Sequence, residues 1–215
     1  MSNDIEIYKI IVLGASFVGK TQLIHRYADN CFEISSIETI GIDFKTKYVQ
    51  THGKTIKAQM WDTSGKIHFY SIAQVYYKRV FGALFVFSIL DRSSFDRVKE
   101  ICRDYNEDSP PNSCNILVGT KYDLKFSREV NKSEANAFAE EYNMRYIEVS
   151  SKENINVDLV FQTLFDEIYE KKNNPPNPYV SQTNRQTGAQ EVKKEDKEKV
   201  NDDIGENSNY VFFKL

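Results

Sequence analysis

The chain has 215 residues, a net charge of −3 and 40% hydrophobic residues. This length suits one folded domain with an appendage, and the mild acidity argues against a nucleic-acid binder, which needs a basic surface. No apolar run approaches the roughly 20 residues that span a bilayer, and the first residues lack the pattern of a signal peptide, so a cytoplasmic protein is expected.

The composition of the chain changes near Asn173. Before this point apolar runs alternate with amphipathic stretches, whereas the remainder is rich in Asn, Pro, Gln, Lys and Glu. Such a segment buries too little apolar surface to offset the conformational entropy of ordering it. We therefore predict a short N-terminal extension (1–6), a folded domain (7–172) and a disordered C-terminal tail (173–215).

Within the folded part, short apolar runs predict buried strands at 8–14, 56–62, 82–90, 115–120 and 146–150. Amphipathic segments predict helices at 20–28, 94–105, 132–143 and 157–172, with Ser133 as the N-cap of the third. Residues 40–50 and 54–62 flank Thr-His-Gly and predict a hairpin. The alternation predicts an α/β fold with a doubly wound, mostly parallel six-stranded sheet and flanking helices, whose ligand lies at the carboxyl ends of the strands.

The segment GASFVGKT (14–21) matches the phosphate-binding pattern G-x-x-x-x-G-K-[ST] and stands between a strand and a helix. Gly14 and Gly19 let backbone N–H groups approach a phosphate closely, and the helix N-terminus adds partial positive charge. Lys20 reaches the β- and γ-phosphates, and the hydroxyl of Thr21 is a ligand for Mg²⁺. The loop alone does not distinguish ATP from GTP.

Two later segments, each at the end of a predicted strand, favour guanine. Asp123 in VGTKYDL accepts two hydrogen bonds from guanine N1–H and the 2-amino group, whereas adenine turns a lone pair toward it. The stem of Lys121 lies along the purine, and the backbone N–H of Ser151 in VSSK meets guanine O6. A P-loop kinase or ATPase is therefore the less favoured class.

With these residues the chain resembles a Ras-superfamily small GTPase, and within it the Rab family, over roughly residues 7–172. The resemblance is carried by segments in a fixed order: GASFVGKT, ETIGIDF, KAQMWDTSG, FYSIAQVYYKR, FVFSIL, TKYD and SSK. It implies a P-loop NTPase fold of the small G-protein type and a GTP/GDP switch that uses Mg²⁺. It also implies regulation of vesicle trafficking through effectors, an exchange factor and a GTPase-activating protein.

The resemblance also assigns roles to individual residues. Phe32 packs against guanine, Thr39 coordinates Mg²⁺ and covers the γ-phosphate, Asp62 holds Mg²⁺ through water, and the Gly65 amide binds the γ-phosphate. The expected nucleotide contacts are Ser16, Phe17, Val18, Gly19, Lys20, Thr21, Gln22, Phe32, Thr39, Gly65, Thr120, Lys121, Asp123, Ser150, Ser151 and Lys152. The expected effector-facing residues are Ile40, Gly41, Phe44, Trp61 and Tyr76. For the aromatic residues Phe44, Trp61 and Tyr76, the alternative is ordinary packing in the core.

The residue at the catalytic position departs from the family, which usually has Gln after Asp-Thr-Ala-Gly, whereas this chain has Lys66. A Gln amide both accepts and donates hydrogen bonds, but Lys only donates, so it cannot accept one from the attacking water. We expect slow intrinsic hydrolysis, with Lys20, Thr39 and Gly65 completing the catalytic set. The alternative is a surface lysine, with the attacking water positioned by other groups or by a partner protein.

Two further departures lie in the phosphate and base motifs. Phe17 stands where the family prefers a small residue, and its ring either covers the phosphates, where it can crowd a partner's arginine, or lies flat on the surface. Thr120 replaces the usual Asn, which removes a contact to guanine N7 worth on the order of 1 kcal/mol. Base choice is expected to survive this loss.

The C-terminal sequence differs from that of prenylated Rab proteins, because no cysteine follows Cys114. We therefore expect no prenyl anchor, only weak or partner-mediated membrane contact, and a monomer held peripherally on endomembranes through a partner. The three scattered cysteines are interpreted as small buried or half-buried hydrophobes in a reducing compartment. The function expected is a Rab-like switch, and the alternative is a non-cycling scaffold that stays bound to GTP.

Overall fold

The structure, a computed structural model, describes residues 5–34, 38–66 and 70–174. The predicted N-terminal extension is described only at residues 5 and 6. The predicted tail (173–215) lies outside the described residues beyond Asn174. Among the described residues, no helix combines the length and apolar character needed to cross a membrane.

A six-stranded sheet forms the centre of the described domain. Its strands are β1 (Ile7–Leu13), β2 (Ile42–Thr51), β3 (Lys54–Thr63), β4 (Gly82–Ser88), β5 (Cys114–Thr120) and β6 (Arg145–Glu148). They lie in the order β2-β3-β1-β4-β5-β6, and every pair is parallel except the β2–β3 hairpin. The predicted mostly parallel six-stranded sheet is confirmed.

Five α-helices are seen in the described part of the chain. They are α1 (Lys20–Asp29), α2 (Tyr70–Tyr77), α3 (Arg92–Asp108), α4 (Lys132–Glu141) and α5 (Val157–Asn173), and a 3₁₀ helix covers Tyr122–Ser127. All but α2 and the 3₁₀ helix were predicted as helices. The predicted N-cap of α4 was wrong: the cap is Asn131, and Ser133 lies in the first turn. The buried Val130, whose backbone N–H donates to Ile89 O, fixes the chain just before Asn131 and so starts the helix earlier.

The core has two apolar layers, one on each face of the sheet. Along β1, Ile10 and Val12 face α1 and α5, whereas Ile11 and Leu13 face α2, α3 and α4. All seven residues of β4 are buried, as expected of a strand covered on both faces. Burial of each large side chain contributes about 1.5–3 kcal/mol. The expectation of buried cysteines holds for Cys102 and Cys114 but not for Cys31, which is exposed just after α1.

The parallel arrangement determines where a ligand can bind. Since β1, β3, β4, β5 and β6 run in one direction, their carboxyl ends meet at one edge of the sheet. Asp62 lies near the end of β3, and the segments that follow β1, β5 and β6 contain the phosphate-loop, Asp123 and Ser151 motifs.

Candidate functional site

The loop between β1 and α1 is tightly packed and leaves its amides uncapped. Gly14 packs directly on β4, because a Cβ there would lie 2.1 Å from the carbonyl oxygen of Val86. Gly19 is the N-cap of α1, no side chain caps that end, and its first turn has no acidic residue. The first N–H groups of α1 are therefore available to an anion.

Lys20 is buried in this loop. Its Nζ donates to the backbone carbonyls of Gly14 (3.1 Å) and Ala15 (2.8 Å), so the side chain closes the loop on itself. Burial lowers the pKa of Lys20 to about 8, while the charges of Asp62 and Glu38 act in the opposite direction. The loop thus surrounds an amine whose charged form a polyphosphate would favour.

Three oxygen-bearing side chains meet beside the loop. Thr21 Oγ1 donates to Asp62 Oδ2 at 2.6 Å, and the hydroxyls of Thr21 and Thr39 lie 2.8 Å apart. Asp62 Oδ1 is buried without a hydrogen-bond partner in the described structure. Burial raises the pKa of Asp62, against the hydrogen bonds from Thr21 and Thr39 and the charge of Lys20. Two hydroxyls and an unsatisfied carboxylate oxygen fit Mg²⁺, a cation that prefers oxygen ligands.

The segment after β3 is pressed against the phosphate loop. A Cβ on Gly65 would lie 2.1 Å from the backbone N of Ser16, so only glycine fits without a shift. The hydroxyl of Thr63 donates to Val12 O at 2.7 Å, and the N–H of Ser64 donates to Gly41 O at 2.9 Å. These contacts bring the Gly65 amide to the phosphate loop, where it was expected.

Lys66 is ion-paired, although its side chain is about half exposed. Its Nζ lies 2.7 Å from Glu38 Oε2, and the other oxygen of Glu38 accepts a 2.7 Å hydrogen bond from Ser16 Oγ. The hydrogen bonds from Lys66 and Ser16 hold the pKa of Glu38 below its usual value. Glu38 was not predicted as a site residue, because the sequence gives no signal for a pairing between such distant positions.

A polar pocket lies at the centre of these contacts. Its lining residues are Ser16, Phe17, Gly19, Lys20, Thr21, Gln22, Glu38, Thr39 and Gly65. Every lining residue except Glu38 was predicted to contact nucleotide. Lys66 does not line this pocket and reaches its wall only through Glu38.

A second pocket continues from the first toward β5 and β6. Its lining residues are Phe17, Val18, Gly19, Gln22, Phe32, Glu33, Ile34, Thr120, Lys121, Asp123, Leu124, Ser151 and Lys152. The sequence analysis missed Glu33, Ile34 and Leu124, although their position beside predicted contacts was an available signal. The predicted residue Ser150 does not line the pocket, and its hydroxyl donates to Asp123 Oδ1 at 2.7 Å instead.

Phe17 forms a wall shared by both pockets. Its backbone is left-handed (φ 61°), which is unfavourable for a bulky residue, and its side chain is 67% exposed. The ring is therefore neither buried nor remote from the site. The predicted surface position agrees with this exposure, whereas covering the phosphates stays a prediction.

Thr120 holds the base motif to the phosphate loop. Its hydroxyl is buried, 2.6 Å from Val18 O and 3.0 Å from Phe87 O. One hydroxyl hydrogen serves one acceptor at a time, so Val18 O is the closer choice. Thr120 was expected only to lose a contact to the base, but its hydroxyl connects β5 to the phosphate loop that contains Val18.

Arg26 is a further residue that the sequence analysis missed. From α1 it donates to the backbone carbonyls of Ser151 (2.7 Å) and Lys152 (3.3 Å), and also to Asn30 O and Oδ1 (3.0 Å each). It therefore links α1 to the loop that borders the base pocket. From sequence alone, an arginine near the end of a helix indicates only a favourable interaction with the helix dipole.

Three aromatic side chains pack in tilted pairs beside this site. The ring of Trp61 lies 5.1 Å from that of Phe44 and 4.7 Å from that of Tyr76. Phe44 is 47% exposed, and the nearby Ile40 is more exposed still. Trp61 and Tyr76 are half-buried and pack against the core, so core packing accounts for part of this cluster and its effector-facing role stays a prediction.

Comparison with known proteins gives a consistent result. The Ras family model matches residues 9–170. Ras-related protein Rab-11A of Dictyostelium discoideum is 38% identical over 177 residues, which cover 82% of this chain and 83% of the relative. Ras-related protein Rab-11B of the same organism is 42% identical over 161 residues, covering 75% and 73%. Ras-related protein Rab-10 of Diplobatis ommata is 38% identical over 165 residues, covering 77% and 82%.

Proposed function

Since the chain belongs to the Ras family of small GTPases, we propose that it is a Rab-like switch that binds GTP or GDP with Mg²⁺. In this proposal the GTP-bound form recruits effector proteins that act in vesicle trafficking. An exchange factor replaces GDP with GTP, and a GTPase-activating protein assists hydrolysis. In this proposal the domain that carries the function spans 7–172, preceded by a short extension (1–6) and followed by a tail (173–215).

One observation carries the proposal: two of the candidate cation ligands, Thr39 and Asp62, lie in the same two segments as two rings of the aromatic cluster. Thr39 and Phe44 lie close together in one segment, and Asp62 and Trp61 are neighbours on β3. Because side chains alternate along a strand, Asp62 meets Thr21 and Thr39 while Trp61 lies on the opposite face, against Phe44 and Tyr76. A change in the ligand of the pocket is therefore transmitted directly to the aromatic surface.

The residues of the site have separate tasks in this proposal. Lys20 and the first amides of α1 bind the β- and γ-phosphates, while Asp123 and the Ser151 amide select guanine. Thr21 and Thr39 would hold Mg²⁺ directly and Asp62 through water. When bound, the cation neutralises charge on the phosphate oxygens. Hydrolysis joins a water oxygen to the γ-phosphorus, and GDP leaves with the electron pair of the bond that breaks.

Hydrolysis is slow in this proposal because of Lys66. Its ammonium offers no acceptor to the attacking water, and it is engaged with Glu38 at 2.7 Å. The same ion pair favours the alternative function, a scaffold that stays bound to GTP, because it joins the two segments on either side of the γ-phosphate position.

The switch is tested by the fluorescence of Trp61, the only tryptophan in the chain. The full-length protein is loaded with GDP or with a non-hydrolysable GTP analogue, with and without Mg²⁺. The emission spectra of the two forms are expected to differ only when Mg²⁺ is present, and excess ATP should displace neither nucleotide. Identical spectra in both forms would contradict the switch, and a Trp61→Phe variant provides the background signal.

Single-turnover hydrolysis of bound GTP separates a slow switch from a scaffold. We expect Lys66→Gln to hydrolyse GTP faster than the native chain, since Gln restores an acceptor for water. Equal rates in both proteins would reject the proposed role of Lys66. Persistent GTP in both proteins, with identical Trp61 spectra, would favour the scaffold.

A further inference from the structure

Glu38 places a carboxylate at the wall of the phosphate pocket, between two donors. One oxygen accepts from Ser16 Oγ and the other from Lys66 Nζ, both at 2.7 Å. The side chain is 22% exposed, and it borders the pocket together with Thr39 and Gly65. These are the residues proposed to contact the γ-phosphate, so the carboxylate lies beside the group that water attacks.

The hydrogen-bonding capacity of Glu38 complements that of Lys66. An ionised carboxylate has about four acceptor sites, of which Ser16 and Lys66 use two. The carboxylate therefore retains acceptor sites, whereas the ammonium of Lys66 has none. The amide of a Gln side chain contains both an acceptor and a donor. In this protein the ion pair supplies them from separate segments, with Glu38 as the acceptor and Lys66 as the donor.

We propose that Glu38 is a catalytic residue that accepts a hydrogen bond from the water attacking the γ-phosphate, and that Lys66 is the positioning residue that holds it there. This inference rests on the proposed function, because it requires bound GTP. As the water oxygen bonds to the γ-phosphorus, the bond to the bridging oxygen breaks and GDP leaves with its electron pair. The proton of the water ends on the released phosphate, so Glu38 orients the water without being consumed.

Electrostatics explains why this arrangement is slower than a glutamine. A carboxylate repels the phosphate oxygens, which a neutral amide does not. Lys66 and the buried Lys20 offset part of that repulsion, since both lie close enough to Glu38 to interact with its charge. The pair thus supports hydrolysis at a reduced rate, in agreement with the expected long lifetime of bound GTP.

The test is a double-mutant comparison of single-turnover GTP hydrolysis in the full-length protein. Glu38→Leu, which keeps the bulk of the side chain and removes every acceptor, is expected to lower the rate at least about tenfold, because acid–base positioning contributes on that scale or more. Glu38→Gln, which keeps one acceptor oxygen, should retain an intermediate rate. In a Lys66→Gln background, Glu38→Leu should change the rate less than about twofold, since the introduced amide then accepts from the water.

Dissociation of a fluorescent GDP analogue is measured on every variant as a structural control. It should stay within about threefold of the native value, because the proposed hydrogen bond forms to water and not to the nucleotide. An unchanged or faster rate in Glu38→Leu would overturn the proposal. So would an equal loss in both backgrounds, which would assign Glu38 a role in shaping the segment around Thr39. Failure of the native chain to bind GTP would instead reject the proposed function.

Discussion

Arg26 on α1 donates to the backbone carbonyl of Ser151 at 2.7 Å and so connects residues 125 positions apart in the sequence. The bond reaches the loop whose amide is proposed to recognise guanine O6, and Arg26 also contacts Asn30 just beyond α1. The orientation of this loop therefore depends on a side chain that does not itself line either pocket.

Loss of Arg26 is predicted to accelerate nucleotide release. Hydrogen bonds from a charged donor contribute about 1.5–3 kcal/mol, and each 1.4 kcal/mol corresponds to a tenfold change. Arg26→Ala should therefore increase the GDP dissociation rate about tenfold or more, and Arg26→Lys should restore only part of the loss. The control is Arg145→Ala, which removes an arginine paired with Glu167 on β6 and α5. Equal release rates for Arg26→Ala and the control would contradict the prediction.

Thr120→Val is predicted to weaken nucleotide binding and stability together. Valine has nearly the shape of threonine, but it leaves the buried Val18 carbonyl without the 2.6 Å hydrogen bond from Thr120. An unsatisfied buried acceptor costs about 1–3 kcal/mol. Thermal unfolding and GDP dissociation measure the two effects. Thr46→Val, at an exposed position on β2, is the matched control and should leave both quantities unchanged.

Asp123→Asn is predicted to exchange guanine for xanthine. Ser150 Oγ donates to Asp123 Oδ1, so the amide oxygen of Asn should keep this bond and turn its NH₂ group toward the base. The 2-amino donor of guanine then faces the NH₂ donor of Asn, which is unfavourable. Xanthine instead has a carbonyl at C2, which accepts a hydrogen bond from that NH₂ group. Affinity for GDP should fall about 10²–10⁴-fold, and XDP should bind better than GDP. Competition with labelled GDP measures this, and Asp158→Asn at the exposed start of α5 should retain guanine preference.

A fourth prediction concerns acid stability and involves a buried ion pair away from the pockets. Arg128 donates to both oxygens of Glu148 at 2.8 Å, and Tyr146 donates to Oε1 at 2.8 Å. Burial acts to raise the pKa of Glu148, but the hydrogen bonds from Arg128 and Tyr146 outweigh it and leave the pKa lowered. The stabilisation is therefore present above the pKa of an unfolded glutamate and is lost as the pH falls through the lower folded value.

Glu148→Gln should accordingly lower the free energy of unfolding at pH 7 and flatten its decline below about pH 4.5. Urea unfolding at several pH values measures both effects. Removal of one partner of a fully buried pair costs about 3–5 kcal/mol, and the loss here should be smaller because Arg128 is only half-buried. Glu107→Gln, at an exposed position on α3, should cost little. Parallel pH curves for the native chain and Glu148→Gln would reject the assignment.

The sequence predicted the sheet and the two ligand motifs because both depend on local patterns. Continuous apolar runs identified strands such as β4, and fixed spacing identified Lys20 and Thr21. Helix α2 was not predicted, because its aromatic-rich sequence fits a strand or a buried segment equally well. The N-cap of α4 was misplaced because Asn131 and Ser133 are both favourable cap residues.

The sequence could not predict the contacts that modify the site. The pairs formed by Glu38 with Lys66 and by Arg26 with Ser151 join distant segments, and no periodicity specifies which charges meet. The bond from Thr120 to Val18 was likewise hidden, because the substitution of Asn by Thr suggested only a lost contact. Residues that bind through the backbone or through a distant partner become apparent only once the fold brings the segments together.

The position of Phe17 also affects which nucleotide analogues can bind in the two pockets. The ring lines both pockets and is open to solvent, so a single substitution would remove part of both walls. Glycine at this position would relieve the left-handed backbone strain and widen the junction between the two pockets. Since the family prefers a small residue at this position, nucleotide analogues with bulky substituents between sugar and phosphate should bind the Phe17→Gly variant and relatives with a small residue more readily than the native protein.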